Sequence, residues 1–291
     1  MNRLLDLLQM HKTLISDGAT GTNLQQRGLE RGTPPELWVL ERPEEITRLS
    51  MDFIASGSDI LLTCTFGASP LRLAQNNLEG KTAEVNQKAV FLTKKASEGT
   101  QILIAGSIGP LGHVLKPYGD LEIEIALSNY REQAQALDQA GIDFFLVESQ
   151  FDLNEVKAAL RAIQEISTRP IVCSFSYDRG TRTMMGVKPN QTATELAEFG
   201  LTAIGINCGK SLQDNLSSLI ELKQAAQLPI WFKPNAGLPK LDNSGKPIYE
   251  VSPKDMGNQV QSWINAGARI IGGCCGTSPA HLKSIADGIK K

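Results

Sequence analysis

The chain has almost no surplus charge, few aromatic residues, three histidines, five cysteines and no apolar run of membrane-spanning length. Each shortage removes a class of function. Its 29 Lys and Arg stand against 31 Asp and Glu, a net of -2 with no run of five or six like charges, which argues against nucleic-acid or membrane-surface electrostatics. Five cysteines is an odd, low count for 291 residues, and none stands in a Cys-x-x-Cys pair. No disulfide framework is predicted, and a reducing, cytoplasmic setting is expected. The first ten residues, Met1-Asn-Arg-Leu-Leu-Asp-Leu-Leu-Gln-Met10, hold an acid within the apolar stretch and lack a small-residue cleavage site. They read as an amphipathic helix and not as a signal peptide.

What the sequence does have is a regular alternation of short apolar runs with longer helical patterns. Strands are predicted at 13–17, 59–66, 101–105, 144–148, 171–176, 203–207, 230–233 and 269–272. Helices are predicted at 43–56, 81–98, 122–139, 154–166, 192–199, 212–227, 253–265 and from Ser278 onward, with a short irregular piece after Ser69-Pro70. Proline opens the second helix at Pro43 and the last at Pro279, the position where its missing N–H costs nothing. Eight such units in one chain of this length match a single-domain (β/α)8 TIM barrel over 1–291, preceded by the N-terminal helix. Helix-to-strand links are short and glycine-bearing, whereas the strand-to-helix links at 18–42, 106–121, 177–190 and 234–252 are long. Long loops on one face place the active site at the strand C-terminal ends.

Polar and thiol residues gather at those ends: Asp17, Thr63, Thr65, Ser107, Glu148, Cys208, Asn235, Cys274 and Cys275. In Arg269-Ile-Ile-Gly-Gly-Cys-Cys-Gly-Thr277 two adjacent thiols leave a strand and enter a glycine turn. Successive strand residues face opposite ways, so both thiols converge only where the backbone bends. Cys208 ends another apolar run, Ala203-Ile-Gly-Ile-Asn-Cys-Gly209, one strand removed, so the two strand ends lie roughly 9–10 Å apart. Three thiols with a fourth position open suit catalytic zinc (Zn2+), and a thiol bound there ionises and stays nucleophilic. A free cysteine is more often a small buried hydrophobe, and mid-strand Cys173 is read that way. Cys64 is ambiguous. Attack by a bound thiol on a methyl group is the inferred reaction, with Glu148 holding a substrate ammonium and the glycine-rich 17–22 turn receiving a carboxylate through its backbone.

The motifs Asp17-Gly-Ala-Thr-Gly-Thr22, Gly106-Ser-Ile-Gly-Pro110, Val147-Glu-Ser-Gln-Phe-Asp-Leu153, Gly205-Ile-Asn-Cys-Gly209 and Gly272-Gly-Cys-Cys-Gly-Thr277 span nearly the whole chain. Together they resemble the homocysteine S-methyltransferase family. The resemblance implies a zinc barrel with Cys208, Cys274 and Cys275 as ligands and homocysteine sulfur as the exchangeable fourth, giving methionine. It further implies substrate contacts at Asp17, Gly18, Ala19, Thr20, Glu148, Asn207 and Asn235. Pro234-Asn-Ala-Gly-Leu-Pro239 is similar to the homocysteine module of cobalamin-dependent methionine synthases, where the matching asparagine can occupy zinc. That points to a corrinoid (methylcobalamin) or methyltetrahydrofolate-linked partner acting in trans, with S-methylmethionine or S-adenosylmethionine as the alternative donor. Cys64 stands where the family pattern has asparagine.

Three rival readings follow from the same residues. Glycine-rich 272–278 opening a helix would suit phosphate, although phosphate needs no thiols. Gly205 to Ser211 superficially matches a P-loop but has Ile204 where the first glycine belongs. A non-enzymatic zinc-bearing docking module of a larger methyl-transfer assembly is the third. His11 and His281 are expected in solvent, while His113 and the loop Arg179-Gly-Thr-Arg-Thr-Met-Met-Gly186 could meet a donor or partner.

Overall fold

The computed structural model describes residues 2–11, 13–241 and 247–290; Met1 of the predicted first helix and 242–246 of the predicted 234–252 loop lie outside them. Eight parallel strands form one sheet: β1 (Leu14–Ile15), β2 (Ile60–Leu62), β3 (Leu103–Ile108), β4 (Phe144–Gln150), β5 (Ile171–Phe175), β6 (Ala203–Cys208), β7 (Ile230–Pro234) and β8 (Ala268–Ile271). Each pairs with its sequence neighbours, β8 returns to β1, and a parallel bridge between Ser16 and Ile60 closes the ring. Side chains complete the seam, with Asp59 Oδ2 accepting from the Ile15 N–H and Asp17 Oδ2 from the Leu62 N–H, both at 2.8 Å. The predicted (β/α)8 barrel is what the chain forms.

Alternation along the strands divides the core in two. Leu14, Ile60, Leu103, Ala105, Phe144, Leu146, Val172, Ala203, Trp231 and Ile270 fill the barrel. Helix α1 (Arg3–Met10) adds Leu4 and Leu8 to that cluster, and its Arg3 pairs with Asp143 at 2.6 Å. The intervening residues, such as Phe145, Val147, Ile204, Ile206 and Phe232, pack outward against the helices. Continuing the inward parity one step brings Ser107, Glu148, Ser174, Asn207 and Lys233 to the next layer, all of them buried. The barrel interior thus turns from apolar to polar at the strand C-terminal ends.

Most helices match the expected spans closely, including Pro253–Asn265, but the expected helix 192–199 is an α-helix at Pro189–Glu195 followed by a 3-10 turn at Ala197–Phe199. Three differences have local causes. The predicted loop 18–42 contains α2 (Thr20–Gln26) and α3 (Pro35–Glu41), the latter opened by a proline at its first turn. Strand β2 stops at Leu62 and does not reach Phe66, because Thr63 and Thr65 turn their hydroxyls onto the Ala105 and Ser107 carbonyls at 3.3 and 2.7 Å. His281, expected in solvent, is buried at the start of the last helix (Pro279–Ile289), where Nδ1 accepts from the Ser278 N–H and Nε2 meets the Val251 carbonyl at 2.9 Å.

Two outcomes follow from this packing. A Cβ on Gly205 would lie 2.1 Å from the Trp231 carbonyl oxygen, so Gly205→Ala is expected to cost about 1–3 kcal/mol by overpacking, read as a lower urea midpoint at unchanged m. Burial lowers the His281 pKa below its ordinary value. The native state therefore binds fewer protons there than the unfolded chain, and this contribution to stability is full above pH about 6.5 and lost as pH falls towards the folded value. His281→Asn should flatten the stability profile in that window.

Candidate active site

Cys208 ends β6 with an outward parity, since Ile204 and Ile206 on the same face pack against the helices. Its backbone is left-handed, φ +61°, followed by Gly209 at φ +83°, and this reversal turns the thiol into the barrel mouth. A left-handed β-carbon residue is uncommon and strained, and such positions cluster at functional sites. Cys274 and Cys275 follow β8 in a turn pinned from two sides. The Cys274 N–H donates to the Pro234 carbonyl and the Ala236 N–H to the Cys275 carbonyl, both at 2.9 Å, while Thr277 Oγ1 closes onto the Cys274 carbonyl at 2.7 Å.

The three sulfurs lie within 4.8 Å of one another, with Cys208 and Cys274 3.0 Å apart. Tetrahedral coordination with Zn–S bonds of about 2.3 Å places sulfurs about 3.8 Å apart, so this donor set fits a zinc-type ion with small adjustments. The thiols share their protons unevenly. Hydrogen bonds from Cys208 and Cys274 draw Cys275 well below its ordinary value, while Cys208 is pushed well up and Cys274 up to about 12. A bound cation would ionise all three.

The thiols open on a cavity of 430 Å³, within the size range of small-molecule sites. Gly18, Ala19, Thr20, Ser107, Glu148 and Lys233 line it with the cysteines. Glu148 accepts from Ser107 Oγ at 2.5 Å, and burial pushes its carboxyl up to about 7. The other expected contacts are placed differently. Asp17 does not line the cavity; it grips Lys233 Nζ at 2.7 Å, both groups buried. Asn207 is behind the sulfurs, its Oδ1 accepting from the Ser149 N–H and Ser174 Oγ and its Nδ2 lying 3.5 and 3.7 Å from Cys208 and Cys274 Sγ. There it orients the thiols and does not face the cavity. Asn235 Nδ2 donates to the Gly209 carbonyl at 2.8 Å, and its buried Oδ1 has no partner among the described residues. The Ala19 N–H is taken by Thr277 Oγ1 at 3.1 Å, which leaves the backbone beside it to serve a ligand.

Lys233 was not among the expected site residues, although Trp231-Phe-Lys233 has the same inward parity as Leu146-Val-Glu148. Burial alone would lower its pKa, but Asp17 and Glu148 outweigh that and keep the ammonium charged. Cys64 lines the cavity from the β2 loop, buried, its thiol pushed well up by desolvation. Cys173 is fully buried in mid-strand, as expected. Neither His113 nor the 179–186 loop lines the cavity. The phosphate alternative loses its donors, because the N–H groups of Gly272, Gly273, Cys274, Gly276, Thr277 and Ser278 already have acceptors.

Lys233→Met removes one partner of a buried ion pair and should cost about 3–5 kcal/mol. Adding Asp17→Asn should recover part of that loss, and a double-mutant cycle in urea measures the coupling.

Comparison with known proteins agrees with this geometry. The model for the family described as homocysteine S-methyltransferase matches residues 14–289. The methionine synthase of Mycobacterium tuberculosis is 28% identical over 302 residues, covering 97% of this chain but 25% of that protein, so the chain spans about a quarter of the curated relatives it matches. The metallated form of the homocysteine methyltransferase MmuM from Escherichia coli is similar over 98% of this chain and 99% of its own, with TM-score 0.85 and 26% identity. The apo form of that enzyme gives TM-score 0.76. No helix among the described residues is long and apolar enough to cross a membrane. With its family model matched across nearly all of its length, the chain belongs to the homocysteine S-methyltransferase family.

Proposed function

We propose that this chain is a zinc-dependent homocysteine S-methyltransferase that forms methionine. The observation that carries the reading is the meeting of Cys208, Cys274 and Cys275 on a small-molecule cavity beside a buried carboxylate. Zinc held by three thiolates supplies a Lewis-acid position at which a fourth thiol loses its proton near neutral pH and remains nucleophilic. The chain's own residues supply the rest. Asn207, fixed by Ser149 and Ser174, holds the thiol ligands in register. Glu148 pairs with the homocysteine ammonium, and the backbone from Gly18 to Thr20 along the same wall takes the carboxylate end. Burial of the cavity floor keeps water from competing for the methyl group, and Lys233 balances the carboxylates around it.

For the donor, the cavity's size favours a small soluble molecule such as S-methylmethionine or S-adenosylmethionine. A methylcorrinoid carried by a partner in trans is the reading the methionine synthase likeness favours, and it needs the mouth to accept a macrocycle. Turnover with free S-methylmethionine also separates an enzyme from a docking module.

X-ray absorption at the zinc edge of the purified protein tests the metal and the acceptor together. Three sulfurs should become four on adding homocysteine; an unchanged shell would remove the thiol-activation reading. Cys208→Ala, Cys274→Ala and Cys275→Ala should each lose stoichiometric zinc and methyl transfer, and full activity in any of them would count against the site. Glu148→Gln should keep zinc and raise the KM for homocysteine about 10- to 100-fold, the worth of a lost charge-assisted contact.

A further inference from the structure

Two cations line the cavity, Lys233 and Arg72; the first is ion-paired with Asp17, whereas the second feels the buried Glu36 carboxylate on the same wall without pairing directly with it. Among the described residues Arg72 makes no ion pair. Its guanidinium makes a single hydrogen bond, from Nη1 to Gln75 Oε1 at 3.3 Å, and its Nε is buried without a partner. Buried donors are normally satisfied, and an unmet guanidinium N–H facing a ligand cavity marks the place of an acceptor that the protein itself does not provide.

The surroundings hold Arg72 in that place. It lies in the short helix Pro70–Ala74, whose Leu71 N–H donates to Asn129 Oδ1 at 2.8 Å, and Asn76 Nδ2 returns to the Arg72 carbonyl at 2.9 Å. Gly112, at φ +80°, leaves the space the guanidinium uses, since a Cβ there would come within 2.7 Å of Nη1. Asn76 and the half-exposed Phe66 line the same stretch of wall. This wall belongs to the β2 loop. Around an eight-stranded ring β2 and β6 are four strands apart by either route, so Arg72 faces the cavity from the side across from Cys208. In the proposed reading Glu148 and the Gly18–Thr20 backbone serve the acceptor amino acid, which leaves the Arg72 wall to the second substrate.

We propose that Arg72, with Asn76 beside it, binds the carboxylate of a small onium methyl donor and so directs its methyl group at the thiol held by the cysteine cluster. The inference rests on the methyl-transfer reading and narrows its donor to a zwitterion such as an S-methylated sulfonium amino acid. In the transfer, the homocysteine thiolate, its proton already lost to solvent, forms the new S–CH3 bond. The donor's C–S bond breaks with its electron pair going to the sulfonium sulfur, which leaves as a neutral thioether. A planar guanidinium suits a carboxylate better than a point charge does, because two N–H groups meet two oxygens.

The test compares zinc-loaded wild type with Arg72→Gln and Arg72→Lys, using S-methylmethionine and, as a donor without a carboxylate, trimethylsulfonium. Arg72→Gln should raise the KM for S-methylmethionine about 10- to 100-fold, with little change in kcat, in the KM for homocysteine or in the slow rate with trimethylsulfonium. Arg72→Lys should restore part of the loss. Calorimetric titration of S-methylmethionine in the absence of homocysteine should show the same weakening without turnover. An unchanged donor KM, an equal loss with trimethylsulfonium, or a shift in the homocysteine KM instead would each overturn the assignment. Methylation by methylcobalamin alone would overturn it too while leaving the methyl-transfer reading intact. Failure of every donor to methylate homocysteine would remove that reading itself.

Discussion

Half of every strand in a closed barrel must point inward, and what those residues are at each height determines the rest of this molecule. Low in the barrel they are Leu103, Phe144, Ala203 and their neighbours, with α1 adding Leu4 and Leu8. One layer above, Ser107, Glu148, Ser174, Asn207 and Lys233 are buried yet polar, and each needs a partner. Asp17 answers Lys233, Ser107 answers Glu148, and Ser149 with Ser174 answers Asn207. The polar layer is therefore both the top of the core and the floor of the cavity. Its hydrogen bonds hold the thiols in register before any ligand arrives.

Electrostatic balance at the floor follows from the same arrangement. Two buried carboxylates beside three thiols would repel one another in a low-dielectric setting, and a single ammonium between Asp17 and Glu148 moderates this. The thiols cannot all ionise without a cation, which is why the cluster concentrates its acidity on Cys275. The proposed dication and zwitterionic amino acid would complete this balance. Arg72, whose buried Nε has no acceptor among the described residues, is where the proposed second ligand would meet this wall.

Much of this was legible in the one-dimensional pattern. Eight apolar runs alternating with helices specified the barrel, and thiols at the ends of two of those runs marked the cysteine cluster, since strand ends of a barrel share one mouth. Less legible were positions whose meaning depends on a partner distant in sequence. Asp17 reads as part of a glycine-rich turn, yet its carboxylate is spent on Lys233, 216 residues away. Asn207 reads as a substrate contact, yet its amide is occupied by Ser149 and Ser174. His281 has the ordinary setting of a solvated helix residue until Val251 closes over it.

Local chemistry alone decided the elements and their order: period-two apolar runs, proline at helix starts, glycine where chains turn. The pairing of the three thiols also belongs to the sequence, because adjacent cysteines beyond one strand and a third at the end of a strand one removed can converge at a mouth. The tertiary structure decided what each polar group faces. The left-handed turn at Cys208 swings its sulfur inward against the strand's own parity. Ring closure sets Arg72 across the cavity from that sulfur. Burial decides which carboxylates stay paired with a cation and which remain open to a ligand, because the cost of removing a charge from water depends on every neighbour at once.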